Sequence, residues 1–407
     1  MSAAEKPLHG LRVLDLSQIL AGPYCTMILA DLGAEVVKVE PTGSGDRARG
    51  IGPRIGGMSA YFQSVNRGKA SVALDLKRPR GRDIALELAS RSDVLVENFR
   101  PGVAARLGLG FEAVLARNPR IVYASITGFG QTGPYRSRPA LDIIVQALGG
   151  MMSVTGEEGG RPVRPGASLG DSVAGLFAAI AILAALHRRE ATGAGERIDM
   201  AMLDGQVALL ENAFARYFAT GEVPGPTGTR HPALTPFQAF ATADGHVAVA
   251  LLHDDAASWE RFCERIDRPA LGVDPRFRDG AERTARAADL IPLLEASFLA
   301  RTTAEWTARL GGAGIPCAPV QGIDRVAADP QVLHRGMMVQ VPRGEGTATV
   351  ANTPFRFLNA PSGPAGGAPE LGEQTAQVLQ SVLGMTGEEM DRLAADGVIA
   401  APGRRSP

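Results

Sequence analysis

The sequence predicts an α/β protein: a mostly parallel sheet with helices on both faces, followed by a smaller α/β unit. Three observations carry this. From residue 11 to about 205, six short β-branched or apolar runs alternate with stretches of helix-like apolar periodicity. Around 221–236 the run GEVPGPTGTRHPALTP is dense in Gly and Pro and ends the first unit. The chain has 407 residues, 45% of them hydrophobic, enough for two domains and a large core.

The six strand-like runs are LRVLDLS, EVVKVE, SVALDLK, DVLVENF, IVYASITGF and ERIDMAM. Helical periodicity falls between them at 22–32, 81–90 and 139–148, and is clearest after Asp171. Beyond the linker come the strand GHVAVAL, helical stretches near 255–267, 285–300 and 302–312, and the strand-like IPCAPV. RGEGTATVANTP reads as turn-rich, and a Pro/Gly/Ala segment at 360–368 leads to closing helices near 372–384 and 386–397. The sequence carries no convincing internal repeat or heptad array.

Lys and Arg number 42 against 43 Asp and Glu, a formal net charge of -1. No bulk field then favours nucleic acid or an anionic membrane, and any anion site must be local. Cys25, Cys263 and Cys317 are odd in number and far apart, with no C-x-x-C pair and no His at zinc-ligand spacing, which predicts no metal and a reduced cytoplasmic setting. The N-terminal MSAAEKPLHG has no apolar h-region, and the longest apolar stretch, 173–186, falls short of the roughly 18–20 residues that span a bilayer, so a soluble, unsecreted chain with no membrane partner is expected. His9, His187, His246, His253 and His334 fit no metal or triad pattern and read as structural. LGLGFE lacks the strand and helix context of a dinucleotide loop.

Asp171 stands in ASLGDSVAGLFAAIAILAALHRR, after a glycine and ahead of a long small-residue helix. At a helix N-terminus unpaired N–H groups favour negative charge, so one reading is an ordinary cap. The other is a carboxylate nucleophile in a site that excludes water. Spacing alone leaves both open. Between strands, Arg67 in NRGK and Arg230 and His231 in GTRH offer either solvated charge or contacts to a substrate carboxylate.

A set of ordered blocks extends this reading. LRVLDLSQILAGPYCTMILADLGAEVVKVEPTGSGDRAR, SVNRGKASVALDLK, DVLVENFRPGV, RIVYASITGFGQTGPY, DIIVQALGGMMSVTG and ASLGDSVAGLFAAIAILAAL resemble, in order and spacing, the family III CoA transferases. The likeness continues through TPFQAFATADGHVAVAL, GIPCAPV and DPQVLHRGM and so covers nearly the whole chain.

The resemblance implies a Rossmann-like large domain of residues 1–210 completed by 330–407, a small domain at 211–329, and an interlocked homodimer. It also implies that Asp171, between Gly170 and Gly175, is the nucleophile that passes CoA through mixed anhydrides and an aspartyl thioester. CoA is then a substrate, with no tightly bound cofactor. By position, Leu74, Lys77, Asn98, Phe99 and Arg106 align with CoA contacts, Ile19 and Ala21 with backbone contacts to the pantetheine arm, and Met202 with a contact near the thiol. Many members carry Arg where Pro41 stands here, and Arg47 or Arg49 could substitute. Formyl-CoA transferases carry Gln at Leu20 and an added glycine-rich loop, neither of which is present, so small dicarboxylic acids such as succinate are expected rather than formate and oxalate. Racemases of the family carry His at Leu141; without an imidazole there, epimerisation loses one of its two proton carriers. A racemase-like epimerase and a non-catalytic CoA-binding member are the alternatives.

Overall fold

The computed structural model describes residues 5–252 and 255–400; His253 lies outside them. The chain divides into two compact units, one drawn from Met1–Met151, Arg164–Phe218 and Gln331–Pro407, the other from Met152–Val163 and Ala219–Pro330.

In the first unit all six strand-like runs form strands: β1 (Arg12–Asp15), β2 (Glu35–Glu40), β3 (Lys69–Ala73), β4 (Val94–Glu97), β5 (Val122–Thr127) and β6 (Glu196–Ala201). They pair in the order β3-β2-β1-β4-β5-β6, every neighbour parallel. Parallel sheets need cover on both faces, and β4 and β5 are buried along their whole length. One face packs on α1 (Ala21–Asp31) and α4 (Leu169–Thr192), through residues such as Ile28, Val36, Val122, Ala178 and Ile182. The other packs on α2 (Pro79–Ser90) and on the closing helices Thr375–Leu383 and Gly387–Ala395, which bring Val378, Leu379 and Leu393 against Leu14, Val37 and Leu95. Those helices belong with the first unit because that face would otherwise expose its apolar side chains. The strand order reverses between β1 and β4, which leaves a crevice at their carboxyl ends. Two further helices border it, α3 (Asp142–Leu148) and α5 (Met202–Leu209).

α4 is longer than its apolar run suggested. Its 24 residues would permit a bilayer crossing by length and composition alone, and half of its most apolar window is buried in the fold. The turn-rich reading of RGEGTATVANTP is corrected: Met338–Arg343 and Gly346–Ala351 pair as an antiparallel hairpin around Gly344. The alternation in TATVA is a strand signal that the flanking glycines obscured. Glu211–Thr220 and Ala60–Asn66 are helices in stretches that the sequence did not mark.

The second unit holds an antiparallel sheet of β7 (Phe237–Ala241), β8 (His246–Ala250) and β9 (Cys317–Pro319) in the order β9-β8-β7. Helices Ala256–Arg265, Ala287–Phe298 and Thr303–Gly311 close an aromatic core of Phe240, Trp259, Phe262, Phe298 and Trp306.

Candidate active site

The crevice is built on the turn from β1 to α1, and buried charge holds that turn. Asn98 clasps Gln18 from both sides: its Oδ1 accepts the Gln18 N–H at 2.8 Å and its Nδ2 donates to the Gln18 carbonyl at 2.7 Å. Ile19 has φ +70°, a conformation that a β-branched residue adopts at a cost of about 1–3 kcal/mol. Its N–H is captured by Asp46 Oδ1 at 3.0 Å, while Asp46 Oδ2 meets Lys38 Nζ at 2.9 Å. Lys38 also donates to the Ser17 carbonyl at 2.8 Å. Beside it, Lys69 donates to Asp15 at 3.0 Å, and burial pulls the Lys69 ammonium down to about 8 against the attraction of Asp15. Lys38, Asp15 and Asp46 are almost wholly buried, and charges so placed persist only when paired.

Asp171 faces the crevice from α4. It is the third residue of that helix, after Ser168 at the cap position, and its carboxylate makes no hydrogen bond to the described residues. The carboxylate that serves the start of α4 comes instead from α3. Asp142 Oδ1 accepts the Gly170 N–H at 2.9 Å, and its Oδ2 accepts from Arg164 at 2.6 Å and from Gln146 at 2.8 Å. Gly170 makes room for this: a Cβ there would lie 2.6 Å from Val145 Cγ2 and 3.0 Å from Asp142 Oδ1. Asp142 is thus fully engaged and Asp171 is not. Burial raises the Asp171 carboxyl to about 7; the Asp142 charge adds to the rise and Arg164 opposes it. Burial, with the same two carboxylates adding to it, pushes the Tyr61 phenol up to about 12.

A cavity of about 470 Å³ opens between these groups, at the carboxyl ends of β1, β4 and β5. Among its lining are Ile19, Ala21, Asn98, Phe99, Asp171 and Met202, so six residues singled out from sequence converge there. Three others do not line it. Leu74 is buried in the core and bridges to Ile399, Lys77 is exposed just ahead of α2, and Arg106 is exposed at the end of the short helix Val103–Arg106. Phe99 is steadied by its N–H, which Glu97 Oε2 accepts at 2.8 Å; burial raises the Glu97 carboxyl to about 7.

The cationic candidates separate. Arg49 is committed to Glu40 through two bonds of 2.7 Å and lies over the Phe62 ring at 3.7 Å, whereas Arg47 lines the cavity. Arg67 is buried and paired with Asp31 at 2.7 Å, which removes it as a substrate contact. In the second unit, Arg230 pairs with Glu158 and His231 stacks on Phe237 at 5.1 Å. Arg100, Arg136 and Arg138 also line the cavity and were not anticipated, because nothing local in sequence distinguishes them from solvated arginines. Among the described residues no group of three or more His, Cys, Asp or Glu side chains could hold a metal, and all three cysteines are free.

A parallel sheet with a crevice at its switch point, and an unsatisfied carboxylate of raised pKa in that crevice, is the arrangement of a ligand-binding enzyme. A model of CoA-transferase family III matches residues 8–375, and the chain belongs to that family. It is 40% identical over 399 residues to the succinyl-CoA:glutarate CoA-transferase of Mus musculus, covering 97% of this chain and 90% of that one. It is 41% identical over 373 residues to the acetyl-CoA:oxalate CoA-transferase of Acetobacter aceti, covering 91% and 94%. The crystal structure of a CAIB/BAIF family protein from Brucella suis superposes with a TM-score of 0.84 at 36% identity, covering 93% of this chain and all of that one.

Proposed function

We propose that the protein moves CoA from an acyl-CoA donor, succinyl-CoA first among candidates, to a free dicarboxylic acid through a covalent intermediate on Asp171. The observation that carries this is the Asp171 carboxylate itself: half-buried, without a hydrogen bond to the described residues, raised to about 7 and facing a cavity. A carboxylate relieved of partners and water is a better nucleophile than a solvated one.

Asp171 attacks the donor thioester carbonyl, the C–S bond breaks, and CoA thiolate leaves a mixed anhydride. The thiolate then attacks the Asp171 carbonyl, releasing the donor acid and leaving an aspartyl thioester. The acceptor carboxylate attacks that thioester and frees the thiolate, which takes the acceptor acyl group from the second anhydride and restores Asp171. No net proton is consumed, so the protein's work is positioning and exclusion of water. Ile19 and Ala21 serve the pantetheine arm, Asn98 and Phe99 the CoA wall, and Met202 the thiol, while Lys77 and Arg106, exposed outside the cavity, serve the nucleotide and buried Leu74 supports their segment from the core. CoA enters as substrate, and no tightly bound cofactor takes part.

The dicarboxylate reading is supported by the names of relatives that act on glutarate and oxalate. Leu20 and the lack of a glycine-rich insertion favour the longer acids over oxalate. Leu141, 72% exposed and on the cavity wall, carries no proton and so speaks against epimerisation. We further assign an interlocked homodimer in the cytoplasm, with neither nucleic acid nor membrane as partner. Its support is the apolar exposure on α3, α4 and the helix Glu211–Thr220: Ile143, Ile144, Ile180 and Phe218.

The test is a panel of acyl-CoA donors and free acids with mass spectrometry of the products. Transfer from succinyl-CoA to C4–C6 dicarboxylates is expected. Turnover confined to formyl-CoA and oxalate, or α-deuterium exchange without transfer, contradicts the proposal.

A further inference from the structure

Four arginines, Arg47, Arg100, Arg136 and Arg138, line the cavity that holds Asp171. Among the described residues none of the four side chains makes a hydrogen bond or ion pair, although neighbouring Arg49, Arg67 and Arg164 are all paired with carboxylates. All four are exposed and stay charged, and gathered on one cavity they set a local positive field that draws an anion. The phosphates of CoA are one such anion, but the pantetheine arm holds them far from the reacting thiol.

Arg138 is placed differently. It stands four positions before Asp142, which limits the distance between their Cα atoms to about 14 Å. Asp142 in turn bonds to the residue before Asp171. Arg138 is therefore tethered to the acyl end of the cavity. Its guanidinium is also held: it lies over the Tyr135 ring at 3.7 Å, and Tyr135 meets Phe129, another cavity residue, edge-on at 5.8 Å. Stacking fixes the plane of the fork and leaves its N–H edges open, the geometry that matches a carboxylate through two parallel hydrogen bonds. Arg136 has no such support. Building on the transferase reading above, we infer that Arg138 is a specificity residue that binds the second carboxylate of a dicarboxylic substrate while the first reacts at Asp171.

The experiment compares glutarate with pentanoate, acids of equal chain length, as acceptors at saturating succinyl-CoA. The ratio of their kcat/KM values reports discrimination directly, since both share the donor half-reaction. In R138Q the glutarate-to-pentanoate ratio is expected to fall about 100-fold, carried mainly by KM for glutarate, with R138K intermediate because lysine keeps the charge and loses the fork. A ratio unchanged in R138Q overturns the inference, and a raised KM for succinyl-CoA with an unchanged ratio reassigns Arg138 to the CoA phosphates. Failure of the unmodified enzyme to transfer CoA to any acid sinks the transferase reading and this inference together. Transfer with an unaltered ratio sinks the inference alone.

Discussion

At the scale of single residues, the decisive contrast is between two carboxylates at the head of one helix. Asp142 is bonded on both oxygens, whereas Asp171 is bonded on neither among the described residues and carries a raised pKa. A folded-state pKa above the unfolded one means that ionised Asp171 costs stability: the cost is absent below the unfolded value near 4 and complete above about 7. Asp171→Asn should therefore raise the melting temperature relative to the parent more at pH 8 than at pH 5, as calorimetry at the two pH values would read. The same variant should lose transfer by several orders of magnitude. An N-cap role would have cost stability on Asp171→Ala instead; with no capping bond to lose, that cost is not expected. The place of Asp171 at the head of a long helix was legible because its flanking glycines and the apolar run are local in sequence, but the choice of nucleophile over cap rested on the family resemblance. The Lys38–Asp46–Ile19 clamp and Arg138 were not legible, because their meaning depends on partners that only the folded chain brings near.

At the scale of elements, the site depends on how closely α1 and α4 cross. Gly175 lies at that crossing, where a Cβ would come within 2.7 Å of the Ala21 carbonyl oxygen and 3.3 Å of the Cys25 nitrogen. Because the obstacle is backbone, Gly175→Ala should destabilise the fold by about 1–3 kcal/mol, measurable by urea titration. It should also weaken CoA binding, since the Ala21 end of α1 lines the cavity. The inner strands of the main sheet could be read from sequence because buried parallel strands such as β4 and β5 are near-continuous apolar runs, whereas β6, half-exposed at the sheet edge, was legible from its alternation. The hairpin at 338–351 was hidden because its strands are half-exposed and interrupted by Pro342, Gly344 and Gly346. The order of strands could not be read at all; it arises from crossovers that local pattern does not encode.

At the scale of the whole molecule, the first unit is completed by residues from 331 onward, and it presents an apolar surface that water would not favour. Leu141, Ile180 and Phe218 are 72%, 59% and 78% exposed. A homodimer at micromolar concentration is the expected state by light scattering, and a monomer would contradict the assembly assigned here. The central claim, that CoA passes through a covalent bond to Asp171, is tested most directly by incubating the protein with succinyl-CoA, quenching with hydroxylamine and mapping the modified peptide by mass spectrometry. The account predicts a hydroxamate on Asp171 that is absent from Asp171→Asn. Full transferase turnover with Asp171 unmodified, or with the adduct on another residue, would contradict it.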